Sequence, residues 1–132
     1  MWFSVRPHIA FGTVEVRIAD AQISAGESDA LCALHVACVA QAARDEADGV
    51  PFEDPAPRFV EENLWRAIRH GLDGAFIDFA RGVEMPAAEA VEALLAWTGP
   101  VRAELGLDVA LPALNGAPVS YTHLTLPTTP YV

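Results

Sequence analysis

The chain has 132 residues, enough for one small domain, and 52% of them are apolar, which argues against disorder in its first part. Its formal net charge is −10 and its pI is about 4.6, which argues against nucleic acid or an anionic membrane surface as a partner. Two cysteines without a secretory signal exclude a disulfide framework and point to a reducing cytoplasm.

In chain order, Trp2 to Arg6 is a short extended piece that Pro7 should end, because proline biases Arg6 away from helix. His8 to Gly12 is a turn or bulge. Phe11 to Ile18 is a strand, with Val14, Val16 and Ile18 alternating with Thr13, Glu15 and Arg17. The apolar side is expected to pack on a core. The other side carries a hydroxyl, a carboxylate and a guanidinium in one row. Periodicity alone favours a solvated sheet face with a Glu/Arg cross-strand pair. The same row also suits an ATP-using site, where a carboxylate ligates a hard cation beside a guanidinium that holds phosphate oxygens.

Asp20 to Ala25 is a loop. Ser24-x-x-Glu27 is a capping-box signature and places the start of the first long helix near Ala25. That helix runs through Leu31, Leu34, Val36 and Val39 and ends near Gly49. The apolar run from Ala30 to Ala43 is too short to span a bilayer, so a buried helix is expected. Its last turn, Arg44 to Asp48, is acidic, opposes the helix dipole and should fray. Cys32, His35 and Cys38 recur at every third residue, but the spacing matches no zinc pattern. The cysteines read instead as small buried hydrophobes. Six helical residues separate them by roughly 9 Å, too far for a disulfide.

Val50 to Arg58, with three prolines, is a loop. A second helix is expected over about Phe59 to Phe79, where Val60, Leu64, Ile68, Leu72 and Phe76 recur at four and Trp65 and Phe79 widen the stripe. Gly71 and Gly74 fall inside it, each costing about 1 kcal/mol relative to Ala. Gly82 ends it. Glu84-Met85-Pro86 opens a third helix carrying Val91, Leu94, Leu95 and Trp97. Gly99-Pro100 breaks that helix before a short fourth one, Val101 to Leu105. Leu107 to Ala117 is irregular. The sequence holds no internal repeat, P-loop or dinucleotide fingerprint. The fold class is α+β, with one or two strands of an antiparallel sheet followed by three or four helices.

Two segments carry a family resemblance. The stretch from Trp2 to Asp20, with Arg6-Pro7-His8, Phe11-Gly12-Thr13, Glu15, Arg17 and Asp20, resembles a segment of the carboxylate–amine ligases, the type 2 glutamate–cysteine ligase family. The run from Glu62 to Gly74, with Asn63, Trp65-Arg66, Arg69 and Gly71-Leu72-Asp73, resembles that family's second motif. The two lie in the family's order and at about its spacing, and the likeness covers Trp2 to Ala117. More distantly, Thr13 to Asp20 is similar to a strand of glutamine synthetases, whose catalytic fold the family shares. The resemblance therefore implies a fragment of a glutamine-synthetase-like antiparallel sheet.

It also implies an activity. Family members join a carboxylate to an amine with ATP through an acyl phosphate. Glu15 is then expected to ligate a divalent cation, Mg2+ or Mn2+. Arg17 and Arg6 are expected as catalytic groups that bind phosphate oxygens or the charge on the transferred group. Asn63, Arg66 and Arg69 match the second motif and are candidates for binding ATP. They step by three along a helix and drift slowly around one face, which either lines the site or is an exposed polar face. Partners implied for a full-length parent are ATP and small carboxylate and amine substrates, with no nucleic acid and no membrane. Full-length relatives are often dimers, so a homodimer is also an expectation.

From Pro118 onward the chain resembles no part of that family. Val119-Ser120-Tyr121-Thr122-His123-Leu124 and the residues to Val132 resemble an in-frame translation of a transposon-end adapter used in sequencing libraries. Residues 118–132 are therefore expected to be a non-native, disordered tail, and His123 is set aside as a ligand. Residues 1–117 are expected to be part of a catalytic domain whose larger first portion precedes Met1, and to be inactive alone. Two other classes stay open at this point: a non-enzymatic helical interaction module, and a truncated reading frame with no function.

Overall fold

The computed structural model describes residues 5–19, 22, 24–52 and 54–110. Trp2, Asp20 and the adapter-like tail lie outside them. Over the described residues the fold is α+β, with two separate two-stranded antiparallel sheets and three α-helices.

β1 (Val5–His8) pairs with β2 (Thr13–Val16), with Arg6 opposite Glu15 and His8 opposite Thr13. The turn between them is where the sequence puts it. The Phe11 amide donates to the His8 carbonyl at 3.1 Å, and Gly12 closes the turn at φ +60°, which side-chain-bearing residues rarely adopt. Pro7 sits inside β1 instead of ending it. It has no N–H to offer a ladder, and an edge strand tolerates that. The expected apolar side of the strand finds no core: Val14 is 46% exposed and Ile18 54%.

α1 (Ala25–Ala47) begins at the predicted cap. The Ser24 hydroxyl accepts from the Glu27 amide, and the Glu27 carboxylate accepts from the Ser24 amide. α1 is not buried all round. Only Ala30, Ala33, Ala37 and Gln41 are buried, while Val36 and Val39 face solvent. That narrow small-residue face packs on α3 (Ala87–Leu105) and on a 3-10 turn at Leu107–Ala110. Ala87, Thr98 and Val101 are the buried side chains of α3. The acidic end of α1 is tied down rather than frayed. Asp45 accepts from the Gln41 amide (2.7 Å) and from the Trp97 indole (2.8 Å), and Arg44 pairs with Glu104.

The expected helix from Phe59 to Phe79 is two elements. α2 (Pro57–His70) stops at Gly71, whose φ of +57° leaves the helical region. A short 3-10 turn, Gly71–Asp73, follows. A Cβ at Gly74 would come within 2.7 Å of the His70 Cβ, so the chain turns there only with glycine. Beyond it, Phe76 and Ile77 belong to β3 (Ala75–Asp78), which pairs with β4 (Val83–Pro86). Gly82 is the turn residue of this second hairpin, at φ +67°. The Asp78 carboxylate accepts from the Ala80 and Arg81 amides and shapes the same turn.

Glu84-Met85-Pro86 is therefore strand rather than the start of a helix. Pro86 is the N-cap of α3, and the Ala87 amide bonds the Gly74 carbonyl at 2.9 Å. Gly99-Pro100 does not break α3, which runs on to Leu105. Proline removes one ladder bond and crowds the preceding turn. Side chains bond carbonyls in the turn before it: Thr98 Oγ1 donates to the Leu94 carbonyl (2.9 Å) and Arg102 Nη2 to the Leu95 carbonyl (2.8 Å). Gly106, at φ +67°, then caps the helix.

The seam between α1 and α3 predicts a test. Ala37 is fully buried, so Ala37→Leu should overpack it and lower stability by about 1–3 kcal/mol. The urea midpoint followed by far-ultraviolet circular dichroism should fall, whereas Val36→Leu on the exposed face should leave it unchanged.

Candidate functional site

β2 is shorter than the expected Phe11 to Ile18: it holds Glu15, the register puts Arg6 directly across from it, and Arg17 follows just past the strand's end. The three side chains meet. Arg6 donates to Glu15 Oε2 through Nη2 (2.7 Å) and Nε (3.2 Å), and Arg17 Nε lies 2.8 Å from Glu15 Oε1. Both carboxylate oxygens are thus held by guanidinium groups. Arg17, then Arg6, holds the Glu15 carboxyl below the usual carboxylate range. Two positive charges against one negative leave the cluster with a net positive charge, on a surface a little over one-third exposed.

This arrangement suits an anion. The guanidinium fork matches phosphate or carboxylate geometry, and Arg6 uses only two of its five N–H donors on Glu15. A divalent cation fits less well. Mg2+ or Mn2+ asks for several oxygen ligands, and here one carboxylate stands with both oxygens in ion pairs. Among the described residues no group of three or more His, Cys, Asp or Glu side chains is placed to hold a metal. That includes Cys32, His35 and Cys38. Cys32 is exposed, and Cys38 is half-buried with its thiol pushed up by desolvation.

The second motif lies on α2 beside the second hairpin. Asn63 clamps β3, donating from Nδ2 to the Ile77 carbonyl (2.9 Å) and accepting at Oδ1 from the Ile77 amide (2.7 Å). Both bonds go to backbone, so Asn63 acts here as a strand partner. Arg66 is held by Glu62 (2.8 Å) and Glu84 (2.7 Å) and donates to the Ala75 carbonyl (3.3 Å). Glu62 first, then Glu84, holds its guanidinium above the ordinary value. Arg69 is exposed in the last turn of α2 and makes no ion pair among the described residues. The structure brings Asn63 and Arg66 together on the hairpin side and leaves Arg69 outside.

An open cleft of about 610 Å3 lies beside this motif. Glu62, Trp65, Arg66, His70, Asp73 and Glu84 line it, and the Trp65 and His70 rings meet edge to face. The sequence reading missed Glu84 because it placed that residue at a helix start. A signal was there. Ala10-Phe11-Gly12-Thr13 closes the first hairpin and Ala80-Arg81-Gly82-Val83 the second, each with glycine followed by a β-branched residue.

Comparison with known proteins assigns this geometry to a family. The family model for glutamate–cysteine ligase family 2 matches residues 1–117. The chain belongs to that family. It is 38% identical over 106 residues to a Solibacter usitatus protein and 43% identical over 110 residues to one from Rubrobacter xylanophilus. It is 38% identical over 114 residues to one from Frankia alni. These carry the name "putative glutamate–cysteine ligase 2" or a numbered form of it. The matches cover 80%, 83% and 86% of this chain but 28%, 28% and 30% of those relatives. No solved structure matches the chain. No helix among the described residues is long and apolar enough to cross a membrane.

The family motif on α2 predicts a structural phenotype. Asn63→Ala removes both bonds to Ile77 and should cost about 1–3 kcal/mol, with faster exchange of the Ile77 amide seen by NMR. The first hairpin predicts a pH response. Glu15 has a lowered folded pKa, so its contribution is present above the unfolded carboxylate range, about pH 4–5. It is lost as pH falls through the lower folded value. A carbon-detected titration of Glu15 should show that lowered midpoint, and Arg17→Gln should raise it.

Proposed function

We propose that this chain supplies phosphate-binding arginines to an ATP-dependent carboxylate–amine ligase of the glutamate–cysteine ligase type and has no turnover by itself. The observation that carries the reading is the convergence of Arg6 and Arg17 on Glu15 in a member of this family.

In such a reaction a carboxylate oxygen of the substrate attacks the γ-phosphorus of ATP, the bond to the bridging oxygen breaks, and ADP leaves. The amine nitrogen then attacks the acyl carbon, phosphate leaves, and the nitrogen gives up a proton. Charge on the transferred group sits on its peripheral oxygens, and fixed cationic donors stabilise it. Arg6 and Arg17 are suited to that work. Each is planar, permanently charged and able to bind two oxygens at once. Glu15 positions both forks from one point between them. The relatives' names supply glutamate and cysteine as the substrate pair for this reading.

The same geometry supports the absence of turnover in the chain by itself. The cluster stands on a sheet of two strands among the described residues with its side chains partly in water, where screening leaves an ion pair little strength. Transition-state stabilisation of this kind needs a site from which water is excluded.

The purified 132-residue chain should show no ATP hydrolysis and no amide product above background. A chimera in which residues 1–117 replace the matched segment of the Rubrobacter xylanophilus relative should turn over. In it, Arg17→Ala should lower kcat by about 100-fold or more, with Arg17→Lys restoring only part. Turnover by the chain alone, abolished by Glu15→Ala, would show this reading to be wrong.

A further inference from the structure

α2 sits on its hairpin the wrong way round for a surface helix. At 100° per residue, Val60, Leu64, Ala67 and Ile68 share one arc about 100° wide. Arg66 lies on the far side of the helix and Asn63 beside the arc, about 40° from Ala67, and these polar residues bind the second hairpin. The apolar arc faces outward: Val60 is 47% exposed, Leu64 42% and Ile68 78%. A helix that meets its own domain through polar groups and turns an apolar stripe to water normally buries that stripe elsewhere.

We propose that this arc is a docking surface, and that its occupant is the polypeptide making up the rest of a family-length protein. The buried core of the described residues holds nothing larger than Val101, Thr98 and Gln41, so no apolar filling within them accounts for the stripe. The relatives that contain this segment are more than three times the length of the match, because it spans 28–30% of them. Both sheets here have two strands, so every strand has an unpaired edge within its sheet, a second route for the same polypeptide to attach. This inference rests on family membership and not on the proposed reaction, so its test reads accessibility rather than activity.

The test places a thiol on the arc. Leu64→Cys and Ile68→Cys are made in a background with Cys32→Ala and Cys38→Ala. Each is labelled with a maleimide in the full 132-residue chain and in the chimera described above. Every rate is divided by that of the same protein unfolded in urea. The chain alone should label within a few-fold of its unfolded rate, and the chimera at least about 100-fold more slowly. Equal fast labelling in both proteins overturns the proposal. Slow labelling in the chain alone that deepens with concentration also overturns it, in favour of a second copy as occupant. Should the chimera not fold, the chain is coexpressed with the remaining part of the Rubrobacter relative. Copurification at one to one, lost in Leu64→Asp, supports the proposal, and no association overturns it.

Discussion

The fold depends on how closely α1 and α3 approach. The two helices pack on each other, and their buried side chains are small: Ala30, Ala33 and Ala37 on α1, Ala87, Thr98 and Val101 on α3. Small side chains let two backbones come near each other, but each buries little. A buried methylene contributes about 0.8 kcal/mol, against about 1–2 kcal/mol to order each residue's backbone. Apolar burial along this seam is therefore thin, and polar ties fix its register. Trp97 reaches Asp45 from one helix to the other, and Arg44 reaches Glu104. Arg102 ties the end of α3 to Asp108 in the following turn (2.6 Å). Side chains also bond carbonyls in the turn before Pro100, Thr98 to Leu94 and Arg102 to Leu95.

The second hairpin inherits its place from that seam. β4 runs straight into α3 through Pro86, and Ala87 is fully buried at the junction. The Ala87 amide bonds Gly74, which fixes the other strand's entry. α2 then attaches to an object already placed, and it does so with Asn63 and Arg66. Backbone groups of β3 need partners wherever water is excluded, and an amide side chain supplies a donor and an acceptor at once. The cost is that the apolar side of α2 points outward. Polar docking inside and apolar surface outside are two consequences of one orientation.

The sequence shows elements whose ends are marked by side chains, and hides those set by backbone contacts elsewhere. Ser24 and Glu27 announced the start of α1 because capping is local chemistry. Val14, Glu15, Val16 and Arg17 announced β2 because alternation is local too. The second hairpin was hidden. Val60, Leu64, Ile68, Leu72 and Phe76 keep helical spacing across Gly71 and Gly74, yet the chain turns there because any larger residue at 74 would meet His70. Pro100 misled because α3 runs through it to Leu105, held against α1 by Trp97 and Glu104 on either side of the proline. Of the candidate site residues, the cross-strand register accounts for Arg6 and Glu15 meeting, and Arg17 joins them from just beyond β2. The motif on α2 was legible as a motif, but not as a structural clamp, because Ile77 was read as helix.

The Arg6–Glu15–Arg17 cluster sets two guanidinium groups around one carboxylate, so it carries its own anion. Without Glu15, the guanidinium groups of Arg6, on β1, and Arg17, just past β2, would repel each other. With it, each has a charge-assisted partner, and the lowered Glu15 pKa is the measure of that attraction. A phosphate that binds here competes with the Glu15 carboxylate for the same forks, so its affinity is the difference between two similar interactions. A ground-state phosphate therefore gains little. A transferring phosphoryl group, with its charge spread over peripheral oxygens, gains more if its oxygens match both forks at once. That difference between ground state and transition state, rather than tight binding, is what accelerates a reaction. A carboxylate set between two arginines is thus compatible with catalysis, provided the surrounding protein removes the water that screens all three charges.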